Sequence, residues 1–306
     1  MGGELRPEDY IEPRCVLCEE PYGVTKDVKP VPQQRIIEKM DEYMAHRDYA
    51  GAERHLLYWL EEAKLGEDLR GQLMLRNELT GHYRKTGDRE KSLANAEEAL
   101  RLLSVLEFEG TISSGTTYVN AATACNAFGE NERSLALFEK ARAVYEANPR
   151  TDRALLGGLY NNMALTNAAL GRYEEAMPLF EKALEAMGEV PNGGLEQAIT
   201  YLNMADLLDA RYGMEQREKE ICEYLDRAAD LLDETQPAGR QAAGRQAAGQ
   251  QAEESREDPA KAENAGPDPG YYAFVCEKCA PAFSYYGYFL TAEELERRAK
   301  EIYGRT

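Results

Sequence analysis

The sequence predicts an all-α solenoid of five to six helical hairpins, and three observations predict it. Turn glycines recur at a fixed interval of 42 residues, at Gly87, Gly129, Gly171 and Gly213. On either side of each glycine, small and large apolar residues recur three or four positions apart, the spacing at which side chains share one face of a helix. The half-pattern before each glycine and the half-pattern after it keep step from one unit to the next, so each unit is a hairpin and the chain is an array.

The clearest hairpin is 156–187, LGGLYNNMALTNAALGRYEEAMPLFEKALEAM. Its first helix carries Tyr160, Met163, Ala164 and Asn167 on one face, and Gly171 breaks the chain. Its second helix presents Ala176, Phe180, Ala183 and Met187, with small residues where a neighbouring backbone approaches and Phe180 filling the gap. A large residue at Tyr160, the pair Met163-Ala164, and Ala176, Phe180 and Ala183 at their fixed offsets resemble a tetratricopeptide repeat (TPR). Ala164 stands where the family usually has Gly, and Asn167 where it usually has Tyr. The interval of 42 exceeds the ~34 residues usual for this repeat class and resembles the long units of kinesin light chains and related bacterial proteins. The resemblance implies a right-handed superhelical solenoid whose concave groove is lined by the first helix of each repeat.

In chain order, residues 1–32 carry Pro7, Pro13, Pro21, Pro30 and Pro32, a spacing that no helical pattern survives, so an extended arm is expected. Residues 33–233 hold five repeats. In the first, Leu56 takes the place of Phe180 and Trp59 that of Ala183. The second, about 73–106, is the least regular, with Arg76 and Glu78 where later units have apolar residues or Asn. The third and fourth place Phe138 with Ala141 and Phe180 with Ala183 in register. In the fifth, Leu225 and Ala228 come three residues late, which predicts a longer turn at 214–218. Residues 234–269 change character: AGRQA, AGRQA and AGQQA in tandem, then ESREDPAKAENAGPDP, without an aromatic, Leu, Ile, Val or Met. Such a segment buries too little apolar surface to offset its chain entropy, and a disordered linker is expected. Residues 270–306 resume the pattern as a sixth hairpin, because Gly287, Ala292 and Ala299 repeat the offsets of Gly171, Ala176 and Ala183. Thr291 and Glu294 read as a capping box, and Leu295, Ala299 and Ile302 form one side of a last helix suited to cap the array.

Charge narrows the partners. With 306 residues, 30% charged, and a net charge of −19, long-range repulsion opposes a nucleic-acid backbone or an anionic membrane, so neither is expected as a partner. Basic or neutral protein surfaces are favoured. No apolar run approaches the ~20 residues of a membrane span, and the start, MGGELRPEDY, has neither a signal-peptide pattern nor the Ser or Thr of a myristoylation signal at Arg6. The expected location is cytoplasmic, where the six cysteines are reduced or metal-bound rather than bridged.

Nucleophile-elbow, phosphate-loop, dinucleotide and zinc-protease signatures are absent, and His46, His55 and His82 read as helix residues with no partner arranged by a motif, so no enzyme is expected. Two features stand above this background. The first is a row of asparagines, Asn120, Asn162 and Asn203, at one equivalent position in three consecutive first helices. In the TPR family that position faces the groove, where side-chain amides can hydrogen-bond the backbone of an extended peptide. Thr116, Thr123, Asn126, Gly158 and Asn161 lie nearby and keep such a groove polar. The alternative is that these amides only bridge adjacent helices. The Lys or Arg partners of the family's chaperone-binding clamp are missing at Val119, Asn161 and Leu202. The second feature is a pair of CxxC motifs, Cys15 with Cys18 and Cys276 with Cys279. Four thiolates suit one tetrahedral zinc that would clip the arm to the last hairpin. Two other readings are open: Cys276 and Cys279 fall where Tyr160 and Met163 are buried and pack as small apolar residues, or the pairs are redox-active.

Overall fold

In a computed structural model of the protein, residues 28–237 and 267–304 are described. All their regular structure is helical, twelve α-helices among the described residues, in two compact units, Met1–Gly171 and Arg172–Thr306. No helix among the described residues is long and apolar enough to cross a membrane.

The first unit holds α1 (Gln33–Ala45), α2 (Tyr49–Leu65), α3 (Leu69–Thr86), α4 (Arg89–Val105), α5 (Ile112–Ala127), α6 (Asn131–Ala147) and α7 (Arg153–Ala169). Successive helices pack as hairpins, and α3 also meets α5 while α5 meets α7, so first helices form a row. Asp48, Asp68 and Asp88 start α2, α3 and α4, each accepting a backbone N–H three residues on, from Gly51, Gly71 and Lys91 at 2.8, 2.8 and 3.1 Å. An N-cap of this kind stabilises a helix by about 1 kcal/mol. Just before each cap the chain turns through a residue of positive φ, Arg47 (55°), Glu67 (55°) and Gly87 (79°), and Glu107 (55°) continues the series. Only Gly87 does so without the cost of roughly 1–2 kcal/mol that a side chain brings to this conformation. Ile36, Leu56, Leu75 and Leu79 fill the first hairpins, and Phe138 and Tyr145 the third. The hydroxyls of Ser92 and Ser134 donate to the carbonyls of Thr80 and Ala122 at 2.9 and 2.8 Å, one bond repeated in successive hairpins.

The end of the expected arm is part of this unit. Lys29 N–H donates to the Gly66 carbonyl (2.8 Å), Val31 N–H donates to the buried carboxylate of Asp68 (2.9 Å), and the Val31 side chain is buried. Two backbone bonds and an apolar anchor hold the segment, which its prolines alone did not disclose. The earlier part of the arm, with Cys15 and Cys18, lies outside the described residues.

The second unit holds α8 (Tyr173–Gly188), α9 (Gly194–Tyr212), α10 (Met214–Glu234), α11 (Pro269–Tyr285) and α12 (Phe289–Tyr303). Phe180, Ala183, Leu225 and Ala228 are buried as their register requires. The long turn expected at 214–218 is not a turn. The three extra residues open α10 directly after Gly213, and the helix breaks at Arg217 (φ −129°, ψ 21°) to restore the register. Of the expected linker, 238–266 lies outside the described residues; α10 ends at Glu234, and Asp268 caps α11, accepting Tyr271 N–H at 2.7 Å with Pro269 at the first helical position. The capping box at Thr291 and Glu294 does not form. Helix α12 begins at Phe289, two residues after the positive-φ Gly287, as α8 begins two after Gly171, and Glu294 turns to Arg297 and Arg298 instead. Ala292, Leu295 and Ala299 are buried, as the amphipathic pattern of this helix requires.

Two glycines of the first unit separate backbone conformation from space. A Cβ added at Gly81, inside α3, or at Gly87 would meet nothing within 4 Å, but only Gly87 has positive φ. Gly81→Ala is expected to raise stability by roughly 0.5–1 kcal/mol, and Gly87→Ala to lower it by about 1 kcal/mol or more, measured by urea denaturation. Effects of the same sign would show that the turn assignment is wrong.

Candidate functional site

The asparagine row is placed by the first helices. Asn120 on α5 and Asn162 on α7 are half-buried, and the two helices are in contact. Among the described residues their side-chain amides make no hydrogen bond, although the backbone carbonyls of both are used, by Thr123 Oγ1 (2.9 Å) and Thr166 Oγ1 (2.9 Å). A Cβ added at Gly158, one turn before Asn161 and Asn162, would meet nothing within 4 Å, so the surface there is open. Asn126 has a different role: its amide donates to Thr166 Oγ1 of α7 at 3.0 Å and lies 3.4 Å from Asn131 Oδ1, bridging α5 to α7. Asn77 bridges α3 to α5 in the same way through Thr117 (2.9 Å). Thr123 is tied to its own helix, and Thr116 to Tyr145 of α6 (2.9 Å). The sequence thus named a mixed set, part open amides and part helix bridges.

One repeat before Asn120, α3 carries Glu78. Burial, reinforced by the charge of Asp41, pushes its carboxyl up. In the second unit Asn203 lies on α9 between Glu196 and Asp206, seven residues after one and three before the other, and so on the same helix face. Helix α11 reaches this face with tyrosines. Tyr271 donates to Glu196, Tyr285 to Asp209 (3.0 Å) and Tyr286 to Asp206 (2.8 Å). Burial pushes the carboxyls of Glu196 and Asp206 up, opposed by Lys278 for the first and by the Tyr286 hydroxyl for the second. The tyrosines were missed because they follow the insertion. Their signal was present: in the register that aligns Cys276 with Tyr160, Phe274 stands where the fourth repeat has Gly158.

Cys276 and Cys279 face the core of the second unit, 0% and 2% exposed. Burial pushes both thiols up, Cys279 to about 12. Among the described residues no three His, Cys, Asp or Glu side chains are grouped as metal ligands. His46 Nδ1 lies 2.7 Å from the Glu42 carbonyl of its own helix, His55 Nε2 lies 3.2 Å from the Ile36 carbonyl of α1, and His82 is buried in α3. A hollow of about 230 Å³ between α10 and α12 is occupied at its rim by the ion pairs of Arg298 with Asp233 and Glu294.

The tetratricopeptide repeat family matches residues 155–217, the stretch that contains the clearest hairpin. Over these residues the chain is similar to tetratricopeptide repeats. Its 42-residue register extends the matched pattern to the hairpins before it. TPR proteins generally mediate protein–protein interactions. Among solved structures the chain is similar to kinesin light chain TPR-like repeats of Podosopora anserina (16% identity, 76% of this chain and 96% of that one, TM-score 0.48). It is similar also to BtubC of P. vanneervenii (17% identity, 90% and 92%, TM-score 0.44). A Rap protein complexed with competence and sporulation factor matches at 12% identity over 92% and 77%, TM-score 0.48. No curated protein matches the sequence.

Two measurements test these placements. Cys276 and Cys279 are expected to resist iodoacetamide until the second unit unfolds, read by mass spectrometry; protection that a chelator removes at native pH would instead indicate a zinc clip. Glu78→Gln is expected to raise the melting temperature at pH 7. Because the folded carboxyl is held above its ordinary 4.5, the native state binds protons more readily than the unfolded chain, so the penalty exists at neutral pH and the advantage of Gln vanishes below about 4.5. A loss of stability at pH 7 would mean that Glu78 has a compensating partner.

Proposed function

We propose that this chain is a non-catalytic scaffold that binds a protein or an extended peptide segment along the faces presented by the first helices of its repeats. The observation that carries this reading is the pair of open amides at Asn120 and Asn162. A half-buried amide with donors and an acceptor unspent is costly if nothing meets it, and an extended backbone supplies both complements at a regular spacing. Asn161 neighbours Asn162 on α7, and Asn203 holds the corresponding position on α9 of the second unit, whereas Asn126 and Thr123 support the helices of the first unit.

The reading has a direct test. Replacing Asn120, Asn162 and Asn203 together by Ala is expected to leave helical content unchanged by circular dichroism, since Ala is the better helix former by a few tenths of a kcal/mol per site. Partners cross-linked to the wild type in native lysate are expected to be lost from the triple variant. A folded triple variant that retains them would move the binding surface elsewhere.

A further inference from the structure

The face shared by α9 and α11 combines exposed aromatic rings with carboxylates. It exposes aromatic rings: Tyr271 is 40%, Phe274 47% and Tyr285 70% exposed. Tyr271 and Phe274 are stacked, with ring centroids 6.2 Å apart and planes 26° from parallel. Beside these rings stand the carboxylates of Glu196, Asp206 and Asp209, which accept hydrogen bonds from tyrosine hydroxyls of α11. Lys278 of α11 acts on Glu196 through its charge. Tyr271, Phe274, Lys278 and Tyr285 follow one another at three, four and seven residues, so they form one stripe of α11.

We propose that this face receives cationic side chains of a basic peptide segment, arginine by preference, one of them with Tyr271 and Phe274 against its plane and Glu196 as counter-charge, while Asp206 and Asp209 beside Tyr285, roughly 15–20 Å further along α9, answer another. The proposal rests on the scaffold reading and names its partner's chemistry. A guanidinium stacks on aromatic faces and forks to carboxylates, which fits rings and acids side by side better than a compact ammonium does. The tyrosine hydroxyls do not compete, because a carboxylate has about four lone-pair sites and each acid spends one on its tyrosine. The first unit shows the same bias independently. Glu78 stands one repeat before Asn120 and feels the like charge of Asp41. The net charge of −19 draws a basic segment to either unit.

The test uses the full chain and an array of random twelve-residue peptides at physiological salt, with hits remeasured by fluorescence anisotropy. The proposal expects hits enriched in arginine over lysine and glutamate. It expects their affinity to fall about tenfold in Phe274→Ala, which changes no charge, and in Glu196→Gln, which keeps an acceptor for Tyr271, and to rise in Lys278→Ala. Circular dichroism verifies that each variant is folded. Should Phe274→Ala unfold the α11 hairpin, Phe274→Leu keeps the apolar volume and removes the aromatic face. Hits not enriched in basic residues, or indifferent to Phe274 and Glu196, overturn the proposal while the peptide-binding reading stands. An array with no saturable hit overturns both.

Discussion

The structure depends on how closely two helix backbones approach, and alanine sets that distance. In the second helices Ala99, Ala141, Ala183, Ala228 and Ala299 are at most 3% exposed, and in the first helices Ala122, Ala164, Ala205 and Ala280 at most 2%. A methyl group is the largest side chain these contacts admit without moving a helix, since a packed interior feels even one added methylene. With the spacing fixed, the large residues take complementary places, Phe138 and Phe180 in the second helices and Tyr272 and Phe283 in α11. Side chains on the opposite face of each first helix are then left outside the core, at regular height. The function proposed for this chain uses that remainder.

Much of this was legible because it is periodic. The 42-residue glycine series located four turns, and the alanine and phenylalanine positions fixed which faces are buried. What escaped was turn chemistry carried by other residues. Arg47, Glu67 and Glu107 adopt the positive φ of a glycine, which no residue-type rule flags, although the Asp that follows Arg47 and Glu67 marks the next helix start. The pattern of Thr291 and Glu294 suggested a cap because local sequence favours one there, but the register set by Gly287 starts the helix earlier. At Arg217 three extra residues went into a broken helix rather than a loop, keeping backbone hydrogen bonds that a loop would have given to water.

The candidate site was legible in kind and incomplete in detail. An equivalent position in successive repeats can be read from sequence, so Asn120, Asn162 and Asn203 were found together; whether an amide is open or bridges to a neighbour depends on what faces it, and Asn126 looked the same as they did until Thr166 was placed opposite. The tyrosine contacts of α11 join residues 75 to 80 positions apart across the low-complexity segment. Only the fold brings them together. The buried thiols of Cys276 and Cys279 followed the opposite course: a motif-like spacing suggested chemistry, and the helix face on which they lie gives them a core position.

The acids on the first-helix faces are what packing alone does not explain. Glu78 and Glu196, each half-buried, are held above the ordinary carboxylate range by burial, so each opposes folding at neutral pH. Some acids elsewhere are paired directly with bases, as Glu130 is with Arg89 and Arg133, or Asp233 with Arg298. A protein under selection for stability alone would exchange the two for Gln at little structural cost, because the bond that Tyr271 donates needs only an acceptor. Their cost is recovered if a cation arrives from outside, since a charge that destabilises the empty face strengthens the occupied one by the interaction it then makes.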